Sequence, residues 1–151
     1  MTGLAALVYA TMLLAMLGMA WSADRTGERR WHTVIPIWLG GLGVAGAIVF
    51  RDHLAGLIPF LCLAVAGTGA FSVCLWGLVT SRVRHRTGAV AVGLINSTGN
   101  LGGFAGPYLI GYLKTTTGHY TAGLYCLVAT AFLAGVLVLM VNLKRLSQVS
   151  G

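Results

Sequence analysis

The chain has 151 residues and a formal net charge of +7, enough length for one compact domain. Hydrophobic residues make up 57% and charged residues only 9%, against the roughly 25% that keeps a soluble surface wet, so an ordinary soluble domain is excluded. In a soluble protein the basic excess would suggest nucleic acid; here the basic residues sit in short stretches between apolar segments, which excludes that partner too.

Five apolar segments, each near the roughly 20 residues that cross a bilayer, run about 3–21, 33–50, 54–80, 88–113 and 120–143. Lipid leaves no backbone polar group a solvent partner, so each is expected to be helical. The residues do not alternate in polarity, which excludes a barrel. The expected fold is therefore an all-α integral membrane protein of about five transmembrane helices, a single domain over 1–151.

The first segment follows Met1-Thr2-Gly3, which lacks the charged start of a signal peptide. It leads into the connector 22–32, which holds Asp24-Arg25-Thr26-Gly27-Glu28-Arg29-Arg30. The second contains Gly41-Leu42-Gly43-Val44-Ala45-Gly46. That fits a dinucleotide fingerprint, but it lies in an apolar span with no strand before it and no acid about twenty residues on, so it is rejected. In the third, Thr68, Ser72 and Trp76 are four apart and share one stripe. The stripe reads either as a cavity wall or as back-bonded hydroxyls beside an interfacial Trp.

The fourth segment reads Gly93-Leu94-Ile95-Asn96-Ser97-Thr98-Gly99-Asn100-Leu101-Gly102-Gly103-Phe104-Ala105-Gly106-Pro107-Tyr108-Leu109-Ile110-Gly111. Gly93, Asn96, Asn100, Gly103 and Pro107 fall on one stripe at 3-4-3-4 spacing. Gly99/Gly103 and Gly102/Gly106 are overlapping small-x-x-x-small pairs that permit close helix approach. Asn96 and Asn100 should face protein or a wet cavity rather than lipid, so a helix seam and a substrate-facing wall both fit. Pro107 frees a carbonyl and is expected to bend the helix near its outer end. Asn96-Ser97-Thr98 also fits a glycosylation sequon, excluded because it lies within a span. The fifth segment, Leu/Val-rich around 127–141, suits lipid exposure.

Eight of the ten Lys and Arg residues fall in the first connector, the third connector (Arg82, Arg84, Arg86) and the tail (Lys144, Arg145). Arg51 and Lys114 lie in the other two connectors. The positive-inside rule then places the C-terminus in the cytoplasm and the N-terminus outside a cell membrane. An outside N-terminus without a signal peptide, with an odd helix count, is expected of a fragment whose Met1 was once internal.

The run from Ile95 to Gly111, followed by Thr117-Gly118-His119-Tyr120-Thr121-Ala122-Gly123, resembles the eleventh helix and following loop of the anion:cation symporter family. These are major facilitator superfamily permeases for organic acids such as sugar acids, tartrate and phthalate. The resemblance is specific over about 93–123 and looser elsewhere. It implies that the five segments are helices 8–12 of a twelve-helix transporter, the C-terminal part. Asp24, Arg25, Gly27, Arg29 and Arg30 resemble the D-R-x-G-x-R-R cytoplasmic loop of that superfamily; Ala20 stands where the family favours Gly, and an ordinary positive-inside loop accounts for the same charges. The resemblance implies a cavity lined by the third segment, with substrate contacts at Trp76, Asn96, Asn100, Ser72 and Thr68. Leu75 replaces an expected aromatic, and the basic run 82–86 replaces a small, apolar, Pro-containing end.

The implied function is part of a secondary active transporter, carrying a small organic anion by symport with a proton or sodium ion. The missing N-terminal half, the coupling cation and the lipid bilayer are its implied partners. Alone, the chain is expected to transport nothing. The rival is a small multi-span interaction protein using its Gly-rich faces at 40–46 and 99–106. An enzyme is not expected. Asp24, Glu28, Asp52 and all four His lie between the apolar segments, so no catalytic or metal set is predicted and no cofactor is called for. Cys62, Cys74 and Cys126 form no C-x-x-C and read as small residues within the spans.

Overall fold

A computed structural model describes residues 2–81 and 88–141. Five helices occupy them: α1 (Thr2–Thr26), α2 (Arg29–Val49), α3 (Leu54–Thr80), α4 (Gly88–Thr117) and α5 (Thr121–Met140). No strand occurs among the described residues. Four of the helices, α1, α2, α3 and α5, are long and apolar enough to cross a membrane. α4 is long, but Asn96, Ser97, Thr98, Asn100 and its glycines dilute its apolar character.

Two helices reach further than their apolar stretches. The connector expected over 22–32 contracts to Gly27 and Glu28, because α1 runs on to Thr26 and α2 starts at Arg29. Hydropathy measures only the part of a helix suited to lipid, and Asp24, Arg25, Arg29 and Arg30 continue the helices past it. The turn is possible because Gly27 takes a φ of +70°, a region open to glycine. At the other end, α4 continues to Thr117. The hydroxyls of Thr115, Thr116 and Thr117 donate back to the carbonyls of Tyr112 and Leu113. α4 runs through Pro107 without a break. The basic run Arg82–Arg86 and the tail from 142 lie outside the described residues.

α3 is the hub. It packs along α2 and α1, α2 also packs along α5, and α4 is held chiefly by α5 with little contact to α3. The α2–α3 seam is made by glycine. A Cβ on Gly43 would sit 2.4 Å from the backbone nitrogen of Ala64, and one on Gly67 would sit 2.5 Å from the carbonyl oxygen of Pro36. The two backbones therefore meet where any side chain would intrude. The 40–46 glycines, expected as an outward binding face in the interaction-protein reading, are mostly spent here: Gly40 and Gly43 face α3, Gly46 faces Phe60, and Gly41 faces Ala131 and Phe132 of α5.

The α2–α5 contact is built around Trp38. Its indole Nε1 donates to the carbonyl of Phe132 at 3.3 Å, and its ring stacks on Phe132 at 6.2 Å between centroids. A Cβ on Gly135 would collide with the indole. Gly135→Ala is therefore expected to separate α5 from α2, read as lost protection of α5 from proteolysis in detergent. Trp38→Phe, which loses the hydrogen bond and part of the ring but introduces no clash, should cost about 1–3 kcal/mol and leave α5 seated. Equal effects of the two changes would contradict this packing.

Candidate functional site

Two groups of polar residues were singled out by the sequence, and the structure treats them differently. The loop group is drawn together. Arg29 lies at the start of α2 and reaches in two directions: its Nη2 donates to Asp24 Oδ1 at 2.8 Å, and its Nη1 donates to the carbonyl of Gly77 at 2.8 Å. Gly77 is in the last turn of α3; its carbonyl already accepts the Ser81 amide, and Arg29 adds a charged donor at a helix end whose partial negative charge favours a cation. One guanidinium thus ties the end of α1 and the start of α2 to the end of α3.

The same corner is cross-braced by a residue the sequence reading left in a connector. His32 sits inside α2, where its Nε2 pairs with Ser22 Oγ at 2.9 Å and its Nδ1 pairs with the Glu28 carbonyl. Thr33, fully buried, donates its hydroxyl to the Arg29 carbonyl at 2.8 Å. Arg25 projects from the other face of this turn and lies over the Trp21 ring, 5.2 Å from its centroid. Arg30 Nε is buried and has no hydrogen-bond partner. A cavity of about 110 Å³ lies beneath Asp24 and Arg29, closed on the α3 side by Val73, Cys74 and Gly77.

The span group is not drawn together. Thr68 and Ser72 are exposed on α3, and Trp76 is half-buried one turn further on. Thr68 donates its hydroxyl to the Ala64 carbonyl at 2.8 Å, the back-bonded state that needs no ligand. Asn96 and Asn100 are exposed on α4. α3 and α4 scarcely touch among the described residues, so the two stripes are not packed against each other there. None of the five residues lines the cavities described here.

The α4 glycines are equally open. A Cβ on Gly99, Gly102, Gly103 or Gly106 would meet no atom within 4 Å. Gly102 and Gly106 do line a cleft of about 340 Å³ between α4 and α5, whose far wall includes Cys126 and Thr130. The close α4–α5 approach lies beyond Pro107, where a Cβ on Gly123 would come within 3.0 Å of the Ile110 backbone. The expected seam around 99–106 therefore has no partner among the described residues.

Sequence reasoning missed His32 and Trp38. Trp38 had a usable signal: an indole N–H inside an apolar span needs an acceptor. His32 had none, because its role depends on how short the α1–α2 turn is.

No protein-family model matches the chain, and no solved structure matches it. Curated relatives do. Two Agrobacterium vitis proteins assigned as tartrate transporters are 37% identical over 128 residues and 40% identical over 124 residues. A quinolone resistance transporter of Acinetobacter baumannii is 32% identical over 126 residues. These matches cover 85%, 82% and 82% of this chain but only 28%, 27% and 28% of the relatives. The chain thus spans just over a quarter of the length of the relatives it matches.

Proposed function

Since the chain belongs to the major facilitator superfamily over the stretch it shares with these transporters, we propose that it forms the C-terminal part of a secondary active transporter for small organic anions. The likeness to two proteins assigned to tartrate transport carries this reading. Tartrate is a dicarboxylate, and 40% identity over 124 residues is the higher of the two values. Transporters of this kind rock two halves around a site near the bilayer midplane. Apart from Arg25 in the last turn of α1, Arg29 and Arg30 in the first turn of α2 and Lys114 near the end of α4, the described helices hold no Lys or Arg. Charge that selects an anion therefore belongs to the remainder of the transporter, as does any carboxylate that relays a coupling proton; sodium is the other candidate for the coupling ion.

Within that reading Trp76, Ser72 and Thr68 on α3, with Asn96 and Asn100 on α4, are the proposed substrate-facing residues. What supports this is the exposure of the two amides and two hydroxyls: Asn96 and Asn100 stand on a helix too polar for a lipid-only surround, and Thr68 and Ser72 lie with the half-buried Trp76 on one stripe of α3. The small-residue stripe Gly99, Gly102, Gly103, Gly106 and Pro107 is the proposed seat of a helix from the other half, because among the described residues no atom stands where a side chain on its four glycines would. The Asp24–Arg30 loop is proposed to be cytoplasmic, with the C-terminus on the same side. Arg25, Arg29 and Arg30 gather at that end, whereas Arg51 and Lys114 stand alone at the other.

The test is a chimaera in which this chain replaces the matching quarter of an Agrobacterium vitis relative. Reconstituted in vesicles, it should take up labelled tartrate within about tenfold of the parent, while the isolated 151 residues should show no uptake. Asn96→Ala in the chimaera should raise the half-saturating tartrate concentration by about tenfold, the equivalent of one lost hydrogen bond to a charged group. Uptake by the isolated chain would overturn the need for a second half. A chimaera that folds and inserts but never transports would overturn the family function for this stretch.

The interaction-protein alternative retains one supporting observation, the open α4 glycine face. It predicts a stable complex with a helix unrelated to transporters.

A further inference from the structure

An apolar groove of about 350 Å³ between α1, α2 and α3 marks one side of the α1–α3 pair, with Gly18 on its α1 wall and Ala66 and Ala70 on its α3 wall. Tyr9 and Gly18 are nine residues apart, two and a half turns, so they stand on opposite sides of α1. Thr68 and Ser72 are each two residues from Ala70, about 160° round α3 from it. α1 meets α3 through Met12 and Met16: a Cβ on Gly69 would lie 2.6 Å and 3.2 Å from their Cγ atoms. That contact fixes how the two helices face each other. Tyr9, Thr68 and Ser72 therefore share the flank of the pair that is turned away from the groove. We propose that Tyr9 is a further substrate contact there, its phenol donating to a carboxylate of the organic anion while Thr68 accepts from a substrate hydroxyl. The proposal rests on the transport reading.

Depth separates Tyr9 from an interfacial residue. The apolar stretch 3–21 of α1 is centred on Met12, and Tyr9 is three residues away, about 4.5 Å along the axis. The other tyrosines, Tyr108, Tyr112, Tyr120 and Tyr125, gather on either side of the Gly118 turn, where a belt of aromatic rings meets the headgroups. Tyr9 is 66% exposed at mid-span. The Tyr120 hydroxyl takes Lys114, whereas among the described residues the Tyr9 hydroxyl has no partner. A phenol at that depth needs one, because hydrocarbon offers none. Two short connectors reverse the chain between α1 and α3, so the two helices run the same way. Thr68 and Ser72 flank Gly69 and lie at the level of Met12 and Met16; Tyr9 is about one turn, 5.4 Å, further toward Thr2. One small molecule can reach across that step.

The two hydroxyls offer opposite halves of a hydrogen bond. Thr68 has committed its proton to the Ala64 carbonyl at 2.8 Å, so its oxygen can only accept from a ligand. The Tyr9 proton has no such commitment among the described residues. An ionised carboxylate only accepts and suits Tyr9, whereas an alcohol can donate and suits Thr68. A hydroxy acid carries both groups; a plain dicarboxylate such as succinate carries only the first. A site built to pair a substrate hydroxyl discriminates against the analogue that lacks it. Tyr9 thus supplies strength toward any carboxylate, and Thr68 supplies preference for the hydroxylated one.

The test measures uptake of labelled tartrate by the chimaera in vesicles, with unlabelled tartrate or succinate as competitor. Tyr9→Phe keeps the ring and removes only the hydroxyl. It should raise the half-saturating tartrate concentration about tenfold, weaken competition by succinate to the same degree, and leave the maximal rate within about twofold. Thr68→Val keeps the side-chain shape. It should weaken tartrate about fivefold and leave succinate unchanged, so that the preference for the hydroxy acid falls. Tyr125→Phe, near the α4–α5 turn, should change neither. A chimaera that takes up no tartrate before any substitution overturns the transport reading and this proposal with it. Where the chimaera transports, a Tyr9→Phe variant with an unchanged half-saturating concentration overturns this proposal alone. So does one that loses only maximal rate or no longer inserts, since either marks a structural role. A Thr68→Val variant that weakens both acids alike overturns the division of labour between the two hydroxyls.

Discussion

Replacing Gly43 by alanine is expected to unseat α2 from α3, although alanine is the better helix former. The exchange favours the helix by about 1 kcal/mol through propensity. Against that, the new methyl would lie 2.4 Å from the Ala64 nitrogen and 2.8 Å from its Cα. Those are backbone atoms, so no rotamer change relieves the contact and the helices must separate. Overpacking of this kind costs about 1–3 kcal/mol where side chains yield, and the rigid backbone here puts the effect at the upper end. Gly99→Ala is the control of opposite sign. Its methyl would enter open space, so the propensity gain stands alone and the isolated chain should be as stable or more stable. Thermal unfolding of the detergent-solubilised chain reads both. Matching shifts for the two variants would contradict the glycine seam. In the chimaeric transporter Gly99→Ala becomes informative again: lost uptake with normal folding would show that a helix of the other half uses that face.

Arg29→Gln in the same chimaera is expected to reduce tartrate uptake about tenfold or more. The guanidinium makes two charge-assisted hydrogen bonds that no single neutral side chain reproduces. Its pair with Asp24 is solvent-exposed, with 33% and 67% of the two side chains accessible, and is worth little by itself. The bond to the Gly77 carbonyl is the larger loss, because it caps the end of α3 with a positive charge. Asp24→Asn should therefore be milder than Arg29→Gln. The double variant should be no worse than Arg29→Gln alone, since both changes act on one network. An Asp24 variant as damaging as the Arg29 variant would mean that the acid has a partner besides Arg29.

The helical architecture was legible because lipid leaves the backbone no choice, and five apolar stretches can only become helices. Helix ends were less legible. Asp24, Arg25, Arg29 and Arg30 look like loop by hydropathy, yet they are helical, and only Gly27 and Glu28 turn the chain. Gly40, Gly43 and Gly99, Gly103 look alike in sequence. One pair is buried against Ala64 and Gly67 while the other meets nothing, because a small-residue stripe states that a partner is needed and not which one. The loop motif could be located in the sequence, but its pairing could not: that Asp24 meets Arg29 follows from the two-residue turn at Gly27 and Glu28. The span residues Thr68, Ser72, Trp76, Asn96 and Asn100 could be placed on faces by periodicity. A cavity between them depends on what packs against α3 and α4, which periodicity does not state.

The way α4 is fastened has a mechanical consequence. Its firm contacts with α5 lie at one end, where Ile110 meets Gly123 and Lys114 bonds to the Tyr120 hydroxyl beside the Gly118 turn. Asn96 and Asn100 stand ten to fourteen residues back toward the other end, about 15–21 Å along the axis. Among the described residues α4 is thus held to α5 chiefly at that end, and a tilt of about 10° there carries those amides sideways by roughly 2.6–3.6 Å, about the length of a hydrogen bond.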